Sequence, residues 1–544
     1  MDKPSENAEI LIPGLPFAFA QALLKKLESG QLKNGKKEII KFLYSNARLN
    51  TMEWRWVNIR NEGGTSEYSE GVSCDSPNLG DHMHGRQLSE GDLQRLANEA
   101  GSSIDEIMRY CHEEVRKGRA EWIPAIKKEG RGWRCMRCGE KEIKEWPSIY
   151  GLAGTCPSCT ALGALSSLQA LLRVIDKNRE SSLSPADSNP VSFSPHWELS
   201  KAQKRASLEI LNFVSSETGK DLLLWAACGA GKTEVCFPAA AWALKRGFKV
   251  LFAAPRQDVV LDVAPRLEQD FPGLRVSVLT GVSTEHFAPA SLVLATTHQV
   301  LRFYQTFDLI FMDEVDAFPY HGNSALEWGL KQSLKPEGKI IYLTATPSSE
   351  QQTKVQNGGM KLVRLPARHH RHPLPVPEWI KYFTGSREPT ADHSELAQWI
   401  KCLSQLGPVL VFVPKISWVA LYVKILRISF PEWKIEGSYS SDQERRVKIE
   451  KLRKGIYPVF VSTSILERGV TVPNVQVIVL EADHEVFDER GLVQMAGRVG
   501  RTQENPKGKA LFLAQQKTPE IEKAIAWIQE QNRIALEQGL LDPD

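Results

Sequence analysis

Leu222-Leu-Leu-Trp-Ala-Ala-Cys-Gly-Ala-Gly-Lys-Thr233 decides how this 544-residue chain is read. An apolar run followed by a glycine-bearing turn, a lysine and a hydroxyl residue is the strand-loop-helix pattern of a phosphate-binding loop, and it predicts a helix opening at Thr233. Gly229 and Gly231, flanking Ala230, let backbone amides approach phosphate oxygens. Lys232 brings positive charge to the β and γ groups, and Thr233 offers a hydroxyl to magnesium. Such loops usually begin with glycine where this chain has Ala226. Cys228 inside the loop reads as a small filler residue.

The same rhythm continues outward. Short Val/Ile/Leu/Phe runs at 250–254, 292–295, 309–312 and 340–343 alternate with helical patterns, as in a parallel sheet with crossover helices. Leu309 to Met312 ends in Asp313-Glu-Val-Asp316, the carboxyl end of a strand, where open parallel sheets place ligands. Asp313 then reaches the magnesium shell through water, and Glu314 positions or deprotonates the attacking water. A proline-rich passage interrupts the pattern, which resumes at 409–413, 459–461 and 477–481. The predicted fold class is α/β: two RecA-like parallel-sheet lobes, preceded by a zinc ribbon and a mostly helical N-terminal region. The expected boundaries are an accessory region at 1–130, a four-cysteine module at 131–165 and a linker at 166–195. Lobe 1 spans 196–365, a hinge 366–378 and lobe 2 379–544.

Cys135 and Cys138 are separated by two residues, as are Cys156 and Cys159, and 17 residues lie between the pairs. That is zinc-ribbon spacing, with four thiolates for one closed, structural ion. Arg131, Trp133, Arg134, Arg137, Trp146 and Tyr150 surround it. This mixture suits either a nucleic-acid face or internal packing. Trp54, Arg55 and Trp56 carry the same two readings. Lys25, Lys26, Lys33, Lys36, Lys37 and Lys41 read as a solvated helical face. His369, His370 and His372 lack cysteine or carboxylate neighbours and read as non-metal residues.

Composition excludes more than it assigns. A hydrophobic fraction of 42%, a charged fraction of 24% and a net charge of +3 are ordinary. No apolar run approaches the roughly 20 residues of a membrane-spanning helix. Met-Asp-Lys-Pro-Ser-Glu at the N-terminus lacks a secretory pattern, so a cytoplasmic location is expected, with membrane contact at most peripheral at the inner face.

A phosphate site alone fits many ATPases, but one further segment precedes it and five follow in order. They are Leu199-Ser-Lys-Ala-Gln203, Ala254-Pro-Arg256, Thr296-Thr-His-Gln299, Thr344-Ala-Thr346, Ser462-Thr-Ser464 with Glu467-Arg-Gly469, and Gln494-Met-Ala-Gly-Arg-Val-Gly-Arg501. Together they resemble superfamily-two helicases over about residues 196 to 515. That resemblance implies an adenine-side Gln203. It also implies a catalytic group of Lys232, Asp313, Glu314, Gln494, Arg498 and Arg501, with coupling or strand contacts at Arg256, Thr297, Thr344, Thr346 and Thr463. Arg498 and Arg501, read as lying at the start of a helix, would face one side and reach ATP when the lobes close.

Four cysteines ahead of the motor, Asp313-Glu-Val-Asp-Ala-Phe-Pro319, Pro255-Arg-Gln-Asp-Val259 and Leu365-Pro-Ala-Arg-His-His-Arg-His-Pro-Leu374 narrow the resemblance to the ComFA family of late competence proteins. This implies an ATPase stimulated by single-stranded DNA that powers uptake of transforming DNA, with a ComFC-like partner and the uptake channel. A PriA-like replication-restart or repair helicase is the alternative, though there the cysteines interrupt the second lobe. A zinc-dependent nucleic-acid adaptor without turnover is the other, opposed by intact Lys232, Thr233, Asp313, Glu314, Arg498 and Arg501.

Overall fold

The computed structural model describes residues 79–130, 132–148, 150–175, 191–383 and 393–542. Trp54, Arg55, Trp56, Arg131 and the lysines from Lys25 to Lys41 lie outside the described residues. Strands buried on both faces need near-continuous apolar sequence, and the central strands of both lobes have it. In lobe 1 seven strands pair in parallel. Their spatial order is Val276–Leu279, Leu292–Thr296, Val250–Ala254, Phe307–Asp313, Leu334–Thr344, Asp221–Ala226 and Lys361–Leu365. In lobe 2 six parallel strands run in the order Glu378–Lys381, Ala510–Ala514, Gln476–Leu480, Val409–Phe412, Val459–Ser462 and Ile435–Ser438. These are the two RecA-like lobes, and one buried apolar cluster runs from the first into the second.

The first turn after Thr233 differs from expectation. Residues Glu234–Cys236 form a single 3-10 turn, and the α-helix spans Phe237–Leu244. Pro238 has no N–H to give the carbonyl of Glu234, so a regular α ladder begins only beyond it.

The four-cysteine segment is an insertion into a small domain. Strand Ala120–Pro124 leads into two hairpins, Ile126–Glu129 with Gly132–Cys135 and Lys144–Ser148 with Gly151–Thr155. The chain then returns as Ala170–Val174, between Gln87–Ser89 and Ala120–Pro124 in an antiparallel sheet. Residues 170–174 fall inside the stretch read as linker from 166. Their four apolar residues around Arg173 form a strand because they find partners more than 45 residues away in sequence. Helices Glu90–Ala100 and Ile104–Arg116, each opened by a serine capping box, cover this sheet.

The small domain is welded to lobe 1. The amide of Gln87 donates to the Arg302 carbonyl at 2.9 Å, and that of Tyr304 to Gly85 at 2.9 Å. All four cysteines share an apolar cluster with Leu223, Leu251 and Ile310 of the lobe 1 sheet. Gly139, with φ of 75°, sits so close to the Trp328 indole that a Cβ would lie 2.5 Å from it.

Candidate active site between the lobes

Backbone conformation explains the glycines of the phosphate loop. Gly229 and Gly231 have φ of 76° and 74°, left-handed values that glycine adopts without a Cβ penalty. A Cβ on Gly231 would also lie 2.5 Å from Nε2 of Gln203. The loop borders a cleft of about 410 Å³ lined by both lobes: Lys232, Thr233, Asp313 and Glu314 from the first, Gly469, Gln494 and Arg501 from the second.

Charges in this cleft are paired with one another. Nζ of Lys232 lies 2.8 Å from Asp313 and 2.9 Å from Glu314. Glu314 has φ of 53°, a value costly for a residue with a side chain and most often seen where geometry serves a site. Burial alone would lower the Lys232 ammonium, but the two carboxylates push it above its ordinary value. Burial would raise Glu314, yet Arg468 and Lys232 hold it well below the carboxylate range. For Asp313 burial prevails and the carboxyl is raised despite Lys232.

Arg468 is the residue whose part was missed. The sequence reading noted Glu467-Arg-Gly469 as a segment but assigned its arginine no partner. From lobe 2 its fully buried guanidinium pairs with Glu314 and, at 2.5 Å, with Asp316 of lobe 1. Thr344 and Thr346 also donate to Asp316, at 2.7 and 2.5 Å. The two threonines therefore touch the last acid of the motif, and through it Arg468. Trp197 and His369, also unassigned, line the same cleft.

The two arginines near the C-terminal end of the motif series have separate places. Helix Glu489–Ala496 stops before them, so they follow a helix end rather than a helix start. The turn continues through Gly500, with φ of 64°. Arg501 lines the cleft and its Nε donates to the Gly497 carbonyl at 2.9 Å. Arg498 does not line the cleft; its guanidinium braces the carbonyls of Glu467, at 2.9 Å, and Val470. Gln494 is buried with its amide nitrogen unpartnered at the cleft wall.

Gln203 does not offer its amide freely. It accepts from Ser200 N at 2.9 Å and donates to the Ala230 carbonyl at 2.8 Å, tying its helix start to the phosphate loop. Arg256 pairs across the lobes with Glu467 at 2.9 Å. The Thr297 hydroxyl is buried without a partner, while Thr463 is half-buried ahead of the 3-10 turn Ser464–Leu466. Neither Arg256 nor Thr297 presents its polar atoms to an open groove in this arrangement.

Cys135, Cys138, Cys156 and Cys159 converge, with all four sulfurs within 4.8 Å of one another and two separations of 3.7 and 3.5 Å. Tetrahedral zinc-thiolate geometry has sulfur-sulfur edges of about 3.8 Å, so the donor set fits zinc. Arg137, whose sequence context suits either a nucleic-acid face or internal packing, is fully buried and donates to Cys159 Sγ at 3.3 Å. Trp133 donates to Glu145 and Arg134 lies over Trp328, so both, like Arg137, are engaged in internal contacts. Trp146 and Leu152 stay exposed on the outer hairpin, at 36% and 57%. His370 Nε2 donates to the Gly500 carbonyl, 3.0 Å away, while its Nδ1 accepts from the His372 amide.

Similarity to known proteins agrees with this geometry. The family described as type III restriction enzyme, res subunit matches residues 196–349, and the helicase conserved C-terminal domain matches 394–503. The competence protein ComFA of Bacillus subtilis is 36% identical over 447 residues, 80% of this chain and 92% of the relative. ComFA of Streptococcus pneumoniae is 36% identical over 421 residues, 76% and 94% of the two chains.

The chain belongs to the ComFA family.

The ATP-dependent DNA helicase RecG of Thermotoga maritima is more distant, 26% identical over 337 residues and 41% of its length. As a ComFA-family protein with both superfamily-two helicase lobes, this is an ATP-hydrolysing DNA helicase or translocase. Its helicase domains imply ATP and magnesium. Among the described residues no helix is long and apolar enough to cross a membrane.

Proposed function

We propose that this ATPase moves along single-stranded DNA and powers entry of transforming DNA into the cytoplasm, working at the inner membrane face with a ComFC-like partner and an uptake channel. The observation that carries the motor half of this reading is the meeting of Lys232, Glu314 and Arg501 from two lobes in one cleft, with Arg468 of lobe 2 paired to Glu314 beneath it. A triphosphate there touches both lobes at once, so its cleavage and their separation become one event. The uptake half rests on the ComFA resemblance.

Residue roles follow from the chemistry. Lys232 exchanges its carboxylate partners for the β and γ phosphates, on amides supplied by Gly229, Ala230 and Gly231. Thr233 and Asp313 would hold magnesium, which supplies charge neutralisation at the phosphates. Loss of the Lys232 pairing lets the Glu314 carboxyl rise from its depressed value and become a better acceptor for the proton of the attacking water. Arg501 meets the charge developing on the γ-phosphoryl group, and Gln494 stands at the same wall. Gln203 ties the adenine side to the phosphate loop. Thr344, Thr346 and Arg468 transmit the state of Glu314 through Asp316, while Arg256, Thr297 and Thr463 take strand contacts once the lobes rearrange. Cys135, Cys138, Cys156 and Cys159 would hold zinc, whose part is to fold the two hairpins.

ATP hydrolysis measured with single-stranded DNA, duplex DNA and RNA over a salt series tests the substrate. Stimulation by single-stranded DNA that falls steeply with salt is expected, because phosphate contacts release counterions. Preference for RNA, or stimulation indifferent to salt, overturns the reading.

A further inference from the structure

The geometry points to Arg368 as a positioning residue that holds the Arg501 turn against the phosphate loop, with the lobes pivoting at residues 366 and 367. The inference rests on the Lys232 cleft being the nucleotide site. Arg368 is 1% exposed, a full guanidinium inside the protein. A buried cation normally has a carboxylate beside it. Among the described residues Arg368 makes no ion pair; its partners are all carbonyls. Nε donates to Cys228 at 2.8 Å, on the phosphate loop. Nη1 donates to Val499 at 2.6 Å and to Gly500, and Nη2 to Gly497 at 3.0 Å, all on the turn that ends in Arg501.

That turn is pinned through a shared atom. The Gly497 carbonyl that accepts from Arg368 also accepts from Nε of Arg501. Clearance on both sides is supplied by glycine. A Cβ on Gly497 would lie 2.5 Å from Cys228, and one on Gly229 would lie 3.3 Å from Arg368 and 3.5 Å from Arg501. Loop and turn thus approach closely enough that a side chain at either glycine would crowd its neighbours, with one guanidinium between them.

The pivot follows from where hydrogen bonds change lobes. Strand Lys361–Leu365 pairs with Asp221–Ala226, and the Leu365 carbonyl accepts from Ala227 at 2.8 Å, so residues to 365 belong to lobe 1. From Arg368 onward the anchors are in lobe 2. His370 meets Gly500, Arg371 accepts from the Asp542 amide at 2.9 Å, and Leu374 exchanges two bonds with Asn532 at 2.7 and 2.8 Å. Only Pro366 and Ala367 lie between these anchor sets. Most of the stretch expected to be a hinge at 366–378 therefore travels with lobe 2. Opening breaks a single bond of Arg368, the one to Cys228, and closing remakes it with Arg501 already in place.

The test uses full-length Arg368→Lys and His370→Ala. Lysine keeps the charge but cannot serve four carbonyls in a plane. For each protein, single-stranded-DNA-stimulated kcat is measured, with the affinity for mant-ADP alone and with beryllium fluoride as the γ-phosphate mimic. Arg368→Lys is expected to lower kcat about 30-fold, roughly 2 kcal/mol of transition-state contact. It should also lose most of the tightening that beryllium fluoride produces, with mant-ADP affinity within about twofold of the parent. His370→Ala, which removes one bond to the same turn, is expected to shift both quantities the same way by about threefold. Unchanged kcat and tightening in both variants overturn the inference. So does an equal fall in mant-ADP affinity, which would make Arg368 a scaffold for the phosphate loop alone. A parent protein that binds no mant-ADP would instead sink the nucleotide site itself.

Discussion

Lobe 1 has two interfaces that contrast in chemistry, one with lobe 2 across the inter-lobe cleft and one with the four-cysteine domain. Across the cleft the apolar cluster shared by both lobes is bordered by ion pairs and carbonyl bonds: Arg468 with Glu314 and Asp316, Arg256 with Glu467, Arg445 with Asp258, Arg368 with Cys228. Against the cysteine domain, an ion pair of Asp92 with Arg302 is enclosed by apolar packing that runs unbroken from Cys135 and Leu171 into Leu223 and Leu251. Charges can exchange partners, with phosphate or water replacing a carboxylate. Close-packed apolar surface cannot part without a cavity or a wetted core. The first interface is the richer in exchangeable charged contacts and the better able to rearrange; the second is built to persist.

The largest effect expected from this contrast is catalytic. Glu314→Gln keeps the shape of the side chain but removes its charge, and steady ATP hydrolysis should fall by about 10³-fold with nucleotide binding retained. Its melting temperature should move little; a drop matching that of a core mutation would show the cleft pairs to be structural.

Arg468→Ala comes next. Removing one partner of a buried pair costs about 3–5 kcal/mol, because Asp316 and Glu314 are left without their cation. The pH dependence has a definite sign. Burial would raise the Asp316 carboxyl, but Arg468 holds it below the ordinary carboxylate value. Its contribution is therefore full above that ordinary value, about 4, and is lost as pH falls through the depressed one. Without Arg468 the buried carboxyl rises, so acid unfolding should begin about one pH unit higher than in the parent. An unchanged acid midpoint would detach Arg468 from Asp316.

At the other interface the order of effects reverses. Gly139→Val meets the Trp328 indole at a left-handed position and should cost about 2–3 kcal/mol in thermal unfolding, with kcat of the folded protein within about threefold of the parent. Cys135→Ser should release the metal found by elemental analysis and destabilise the same domain. A parent preparation without zinc would remove the reason for that junction. The smallest effect is expected at Arg453, 3.6 Å from Asp262 across the cleft with both side chains partly exposed. Arg453→Ala should change stability by no more than about 0.5 kcal/mol and less still in high salt.

Much of the cleft was legible because its requirements are local. Gly229 and Gly231 mark left-handed backbone, Lys232 and Thr233 follow the turn that needs them, and Asp313 and Glu314 sit where a strand ends. The cysteine pairs are legible for the same reason, since two short spacings almost enclose a tetrahedron. The partner of a long cationic side chain carries no local mark. Arg137 reads like a surface cation in an aromatic stretch, yet it lies under Cys159; Arg368 reads like part of a basic hinge, yet it is buried among carbonyls. Strand Ala170–Val174 was hidden differently, in a short apolar run whose partners precede the cysteines.

Sequence by itself therefore determined the two-lobe fold class, the phosphate loop, the acidic strand end and the four-thiolate set, because each is written in spacing and backbone preference within a few residues. Tertiary structure alone decided which charges meet: Arg468 with acids 154 and 152 positions away, and Arg368 with carbonyls of both lobes. The physical reason is range. Backbone conformation is set by neighbours along the chain, whereas a buried charge is satisfied by whatever polar group the packed fold brings within 3 Å or so.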